Sequence, residues 1–187
     1  NTMPVMNPAT EKQIGIVAMG NADDVNLAVG SANNAFESFS KSSKEDRLNL
    51  LLKIQEITKK RFEDLVQAMS FEMGAPMTMA REAQADAAIG HLEGFIEALK
   101  KLEDYNTLSN GDVLCKEPIG VCGLITPWNW PINQITLKVL PAIATGCTSI
   151  LKPSEHTPLS AIVYAEILHE AGVPAGVFNL VQGNGED

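Results

Sequence analysis

The stretch PIGVCGLITPWNWPINQITLKVLPAIATGCTSILKPSE, residues 118–155, carries one charge, Lys138, between Glu117 and Lys152. Its length and apolarity first suggest a membrane span. Pro127, Pro131 and Pro141, then Gly146, break it before a spanning helix of roughly 20 residues can form. The remaining reading is a buried segment that turns back on itself. Residues 120–125 have the length and composition of a buried strand. Residues 126–131, Thr-Pro-Trp-Asn-Trp-Pro, cannot be regular structure. Residues 132–144 read as a helix in which Pro141 implies a kink or an early end and Gly146 closes it. Residues 149–152 are a second buried strand.

Thr157 as N-cap and Pro158 at the first helical position open a further helix, stopped by Gly172 and Pro174. Residues 177–181 form a third strand, followed by Gly183-Asn-Gly185. Strands alternating with helices, apolar throughout, imply a parallel sheet covered on both faces. The fold class expected is therefore α/β, with N-terminal helices and the first part of a doubly wound, Rossmann-like sheet.

Upstream, residues 5–18 read as two short strands around the turn residues Asn7 and Pro8 and the polar Thr10, Glu11 and Lys12. Asn21 opens a helix whose apolar positions, Val25, Ala28, Val29, Ala32, Phe36 and Phe39, recur at three and four. Ser43 and Asp46 form a capping-box pattern before a run long enough for two helices, broken near Lys60. Gly74 and Pro76 end that run and start a helix towards Leu102. Asn110-Gly111-Asp112 is a turn between 105–108 and 113–116, so a β-hairpin is expected there. The organisation read from these signals is 1–104 for strands and helices packing on the sheet, 105–118 for a protruding hairpin, and 119–187 for the first βαβαβ part of a cofactor-binding domain.

The 187 residues are 45% apolar and 20% charged, which suits a globular chain. A formal charge of −9 argues against nucleic acid or an anionic membrane as partner, since both require basic patches. Cys115, Cys122 and Cys147 lack metal spacing and sit among apolar residues, so no metal site and buried thiols in a reducing compartment are expected. No cationic-then-apolar leader opens the chain, which points to the cytoplasm, and a start at Asn1 without Met suggests a trimmed chain.

In a parallel sheet of this kind ligands bind beyond the carboxyl ends of the strands. Loops 126–131, 153–157 and 182–185 lie at that edge. Lys152 and Glu155 fall at the end of the second strand, where a dinucleotide fold places the acid that accepts from ribose hydroxyls and repels a 2′-phosphate. The alternative for Lys-Pro-Ser-Glu is a solvated turn with a helix cap, and for Asn129 a turn residue between two prolines. No G-x-G-x-x-G follows the first strand and no G-x-x-x-x-G-K-[ST] occurs.

Ile125-Thr-Pro-Trp-Asn-Trp-Pro131, Leu151-Lys-Pro-Ser-Glu, Thr157-Pro and Glu170-Ala-Gly-Val-Pro-Ala-Gly-Val-Phe-Asn resemble the NAD(P)-dependent aldehyde dehydrogenase superfamily. Asn7-Pro-Ala-Thr and Glu72-Met-Gly-Ala-Pro76 agree, so the resemblance runs in order along essentially the whole chain. One departure is Trp130, where many members carry phenylalanine, a change that bears on the shape of the aldehyde tunnel. The resemblance implies oxidation of a small aldehyde to an acid through a cysteine thiohemiacetal, hydride transfer to NAD, with NADP possible, and hydrolysis of a thioester. It implies that Asn129 donates its side-chain amide to the oxyanion. Ile125, Thr126, Pro127 and Trp128 would line the cofactor cleft, and Lys152 and Glu155, within Lys-Pro-Ser154-Glu, would hold the adenine ribose. Gly185 would let the cofactor pass close to backbone. The hairpin would be the arm through which a complete protein forms a homodimer or homotetramer.

The resemblance also implies a nucleophilic cysteine in a later Gly-Gln-x-Cys context and a base in a later Glu-Leu-Gly-Gly segment, and neither motif occurs here. No His or Lys neighbours Cys115, Cys122 or Cys147 in a way that marks a nucleophile, and His91, His156 and His169 read as helix or cap residues. The leading expectation is an N-terminal portion of such an enzyme, inactive alone. A non-catalytic cofactor-binding or oligomerisation module of the same fold is the alternative. Lys-Pro-Ser-Glu and Pro-Trp-Asn speak against a relative that reduces acyl phosphates or acyl-CoA.

Overall fold

The computed structural model describes residues 1–185. Strands β1 (Thr2–Asn7) and β2 (Lys12–Ala18) pair antiparallel. The Asn7 side chain closes their turn by accepting from the N–H groups of Ala9 and Thr10. Helix α1 (Ala22–Phe39) starts with Asn21 and Asp24 capping each other, and α2 (Lys44–Lys60) with Ser43 and Asp46 doing the same. Arg61 separates α2 from α3 (Phe62–Met73), which ends at Gly74 with φ of 75°.

The helix expected towards Leu102 is not uniform. A short α4 (Met77–Met79) runs into a π-helical turn (Ala80–Ala85) and only then into α5 (Asp86–Lys101). Strands β3 (Tyr105–Thr107) and β4 (Val113–Cys115) form the expected hairpin, exposed along its whole length. Cys115 is therefore exposed, contrary to the expectation of a buried thiol, because both strands of its ribbon are exposed at every residue.

The remainder is β5 (Val121–Ile125), α6 (Pro131–Ala144), β6 (Thr148–Lys152), α7 (Pro158–Glu170) and β7 (Phe178–Leu180). The three strands form a parallel sheet in the order β5-β6-β7. The last strand is shorter than 177–181, but its neighbourhood extends to Val181, whose N–H reaches the Leu151 carbonyl at 2.9 Å. Helix α6 does not end early at Pro141; the Pro141 carbonyl accepts from both the backbone N–H and the hydroxyl of Thr145, and Gly146 closes the helix with φ of 80°.

Alternation along β6 shows that both sheet faces are covered. Leu151 belongs to the main core with Leu51, Leu65, Leu92, Ile135 and Tyr164, on the side of α6 and α7. Its neighbour Ile150 packs instead with Ala28 and Ala32 of α1, because adjacent strand residues point to opposite faces. The Thr148 hydroxyl fastens α1 to the sheet by donating to the Ala32 carbonyl at 2.9 Å. Buried Arg47 ties α2 to the end of α6, its Nε donating to the Ala144 carbonyl at 2.9 Å. No helix among the described residues is long and apolar enough to cross a membrane.

Gly176, in the turn from α7 to β7, presses against α1. Its φ is 84°, and an added Cβ would lie 2.7 Å from the Ser31 carbonyl oxygen and 2.9 Å from the Ala35 Cβ. Gly176→Ala is expected to destabilise the chain by about 2 kcal/mol or more, through strain and clash together. Urea unfolding of the two proteins checks this; an unchanged midpoint would show that α1 is not seated as described.

Candidate functional site

The parallel register puts Ile125 level with Lys152 and continues one residue further, the Thr126 N–H donating to the Lys152 carbonyl at 3.2 Å. Loops 126–131 and 153–157 therefore leave the sheet side by side. The third loop joins them at the same edge, where the Gln182 carbonyl accepts from the N–H of Gly20 at 2.8 Å.

Ile125, Lys152 and Gly185 line an open groove of about 620 Å³, walled on the α1 side by Val25 and Val29. Trp128 and Glu155 line a different cavity, of about 440 Å³, between the sheet edge and β1, shared with Glu72 and His156. The Lys152–Glu155 ion pair, Nζ to Oε2 at 3.5 Å, spans the two spaces. The Glu155 carboxyl is held below its ordinary range by its own backbone N–H, with Lys152 and His156 adding to this against partial burial. Thr126 and Ser154 are buried, and the Ser154 hydroxyl accepts from the His156 N–H at 3.2 Å. Pro127 and Asn129 are exposed on their loop.

Thr157 makes no side-chain cap on α7, contrary to the sequence-based expectation. The cap comes from Glu72 on α3 instead. Its carboxylate accepts from the N–H groups of Leu159 at 2.5 Å and Ser160 at 3.0 Å, the second and third residues of the helix. Glu72 is 3% exposed, and burial pushes its pKa up to about 7 against the opposing pull of those N–H donors. Two residues here escaped the sequence reading. Glu72 had a signal, an acid standing on the apolar stripe of Leu65 and Met69. Gln84 had a similar one, an amide at four-residue spacing from Ala80, Ala88 and Leu92, but its partner is distant: its Nε2 reaches the Asn129 backbone carbonyl at 3.5 Å.

The chemistry available at this edge is hydrogen bonding and charge. Asn129 offers an uncharged amide, Glu155 a carboxylate, Lys152 three N–H donors. The cysteines are elsewhere: Cys147 is buried and Cys122 half-buried, the latter with its pKa raised by burial and by neighbouring Cys147. A raised pKa is the opposite of what activates a thiol, so Cys122 is not an activated thiolate. Among the described residues no cluster of His, Cys, Asp or Glu has the makings of a metal site.

Comparison with known proteins assigns the class. The aldehyde dehydrogenase family profile matches residues 1–187, and the chain belongs to that family. It is 48% identical over 185 residues to 3-succinoylsemialdehyde-pyridine dehydrogenase of a Pseudomonas species, covering 97% of this chain and 38% of that protein. The fold superposes on an aldehyde dehydrogenase of Bartonella henselae with a TM-score of 0.98 at 44% identity, over 100% of this chain and 40% of that one. It also superposes on aldehyde dehydrogenase C of Pseudomonas syringae, a variant captured with NAD+ and octanal, with a TM-score of 0.97 at 47% identity, over 100% and 38% of the two chains. The chain thus spans about two-fifths of the length of these relatives and corresponds to their N-terminal portion.

A carboxyl whose pKa rises on folding holds more protons folded than unfolded between the two values. Stability contributed by Glu72 is therefore expected to fall as pH rises from about 4.5 to about 7, and to level off above. The span corresponds to roughly 3 kcal/mol. Glu72→Gln should remove this slope from the difference between urea unfolding at pH 5 and pH 8; an identical difference in both proteins would contradict the buried acid.

Proposed function

We propose that the chain is the N-terminal portion of a cytoplasmic, NAD(P)-dependent aldehyde dehydrogenase that converts a small aldehyde to its carboxylic acid. NAD supplies the hydride acceptor. The nucleophilic cysteine and the base come from the remainder of the protein. Asn129 donates its side-chain amide to the oxyanion that forms when the cysteine adds to the aldehyde. An amide suits this task because it is a fixed donor that does not titrate. Lys152 and Glu155 take the ribose hydroxyls, Ser154 holds their turn, and Ile125, Thr126, Pro127, Trp128 and Gly185 shape the cleft. The observation that carries the reading is the pairing of Ile125 with Lys152, which sets the Pro-Trp-Asn and Lys-Pro-Ser-Glu loops next to each other at the carboxyl edge. The NAD+ complex of the Pseudomonas syringae relative supports the choice of cofactor.

A second role runs alongside. The β3–β4 hairpin presents Tyr105, Val113 and Leu114 to solvent, and Ile119 just beyond it is 89% exposed. An unpaired ribbon with apolar side chains is suited to pairing with another subunit, as in a homodimer or homotetramer. Without the catalytic remainder the chain would then act as a cofactor-binding and assembly module.

In the full-length protein, Asn129→Ala is expected to lower kcat by roughly 100- to 1000-fold while leaving the affinity for NAD unchanged. NADH formation and cofactor titration measure the two quantities, and an unchanged kcat would refute the oxyanion role. The 187-residue chain alone should form no NADH from NAD and an aldehyde; steady turnover that survives replacement of all three cysteines by alanine would refute the division of labour. Glu155→Gln should narrow the preference for NAD over NADP, read from the ratio of the two dissociation constants.

A further inference from the structure

The π turn Ala80–Ala85 interrupts an otherwise α-helical run, a local irregularity that recurs at functional sites. Here it carries Gln84, which is 0% exposed. Gln84 Nε2 donates to the Asn129 backbone carbonyl at 3.5 Å and lies 3.3 Å from the Met73 sulfur. Its Oε1 is buried without a partner among the described residues. An apolar side chain of the same length would fill the space with no polar atom to desolvate, so packing does not account for the amide. Among the described residues, the contact with Gln84 is the one hydrogen bond that Asn129 makes.

A second contact shows what the arrangement holds in place. On α5, His91 Nδ1 meets the Thr136 hydroxyl at 2.8 Å. The same hydroxyl lies 2.8 Å from the Ile132 carbonyl, so the contact joins α5 to the first turn of α6. Both contacts join residues 45 apart in sequence, so the helix bearing Gln84 and His91 runs alongside loop 126–131 and α6 in the same direction. His91 fixes the body of α6. Gln84 fixes the loop just before it.

We infer that Gln84 is a positioning residue for the oxyanion donor: by holding the Asn129 backbone carbonyl it sets the direction in which the Asn129 side-chain amide points. The inference rests on the role proposed above for Asn129, and misplacing such a group by about 1 Å can cost on the order of 100-fold in rate.

The chain's two tryptophans, Trp128 and Trp130, flank Asn129, so tryptophan fluorescence reports on this loop directly. In the 187-residue chain, Gln84→Met keeps the length of the side chain and removes the donor. It is expected to increase acrylamide quenching and lower the fluorescence anisotropy. His91→Leu, which loosens the neighbouring contact between α5 and α6, should change neither. In the full-length protein, Gln84→Met should lower kcat by roughly 10- to 100-fold with little change in the KM for NAD. Gln84→Glu should regain activity relative to wild type as pH falls, because a carboxyl donates only when protonated. Unchanged fluorescence in Gln84→Met, or an equal loss of kcat in His91→Leu, overturns the inference. Altered fluorescence with wild-type kcat overturns its catalytic consequence. A wild-type full-length protein that forms no NADH removes the proposed function, while the fluorescence comparison still decides whether Gln84 holds the loop.

Discussion

The pairing of β5 with β6 is the constraint on which everything else in this chain depends. Parallel strands cannot be joined by a tight turn, so the chain must cross over through α6 before β6 can lie beside β5. That crossover brings two loops from different parts of the sequence to one edge, with Ile125 level with Lys152. The register cannot drift by one residue, because a slip would turn Leu151 out of the main core and Ile150 away from α1. Two hydrophobic contacts on opposite faces thus lock the polar geometry at the strand ends.

The helical layer is coupled to that edge through Glu72. Helix α7 opens with Pro158, whose missing N–H is no loss there, but the next two N–H groups need an acceptor. Thr157 does not supply it; the carboxylate arrives from α3, 87 and 88 residues away in sequence. The helix N-terminus favours negative charge and burial opposes it, and among the described residues no ion pair with Lys or Arg contributes to the balance. The cap therefore anchors the loop bearing Ser154 and Glu155 to a helix outside the sheet, and does so through a group that titrates near neutrality.

Much of this was legible in the sequence for local reasons. Asn21 with Asp24 and Ser43 with Asp46 cap their helices through contacts three residues apart, and Gly74 and Gly146 end helices through their own backbone freedom. The strand–helix alternation after Gly120 is likewise carried by periodicity and punctuation. What escaped depends on distant partners. The Thr157-Pro pattern reads as a self-sufficient cap, and only the approach of Glu72 shows otherwise. Gln84 shares the four-residue spacing of buried Ala80, Ala88 and Leu92, but neither the π turn nor the carbonyl its amide meets, 45 residues on, leaves a mark in the local sequence. Cys115 misled because apolar neighbours in a ribbon look the same whether or not anything covers them. Among the site residues, the sequence placed Lys152 and Glu155 at one strand end; that they pair with each other and face two spaces emerges only in three dimensions.

That pairing bears on how the edge would receive a ligand. Both side chains are partly exposed, 23% and 31%, at a separation of 3.5 Å, a geometry in which an ion pair is worth little because water screens it. It holds two long side chains near one place, and under the proposed function vicinal hydroxyls entering between them would replace a weak contact with several directed ones. The groove beside Lys152 is walled by Val25, Val29, Ile150 and Val181, which suits the flat, apolar faces of a heterocycle. Under the proposed function, apolar walls with Lys152 at the rim and Glu155 paired to it from the adjoining cavity would suit a nucleoside, with no phosphate cradle needed from this part of the chain. The absence of G-x-G-x-x-G is therefore compatible with the proposed cofactor: the ribose end can be recognised by β6 and its loop, leaving the pyrophosphate to other residues of a longer protein.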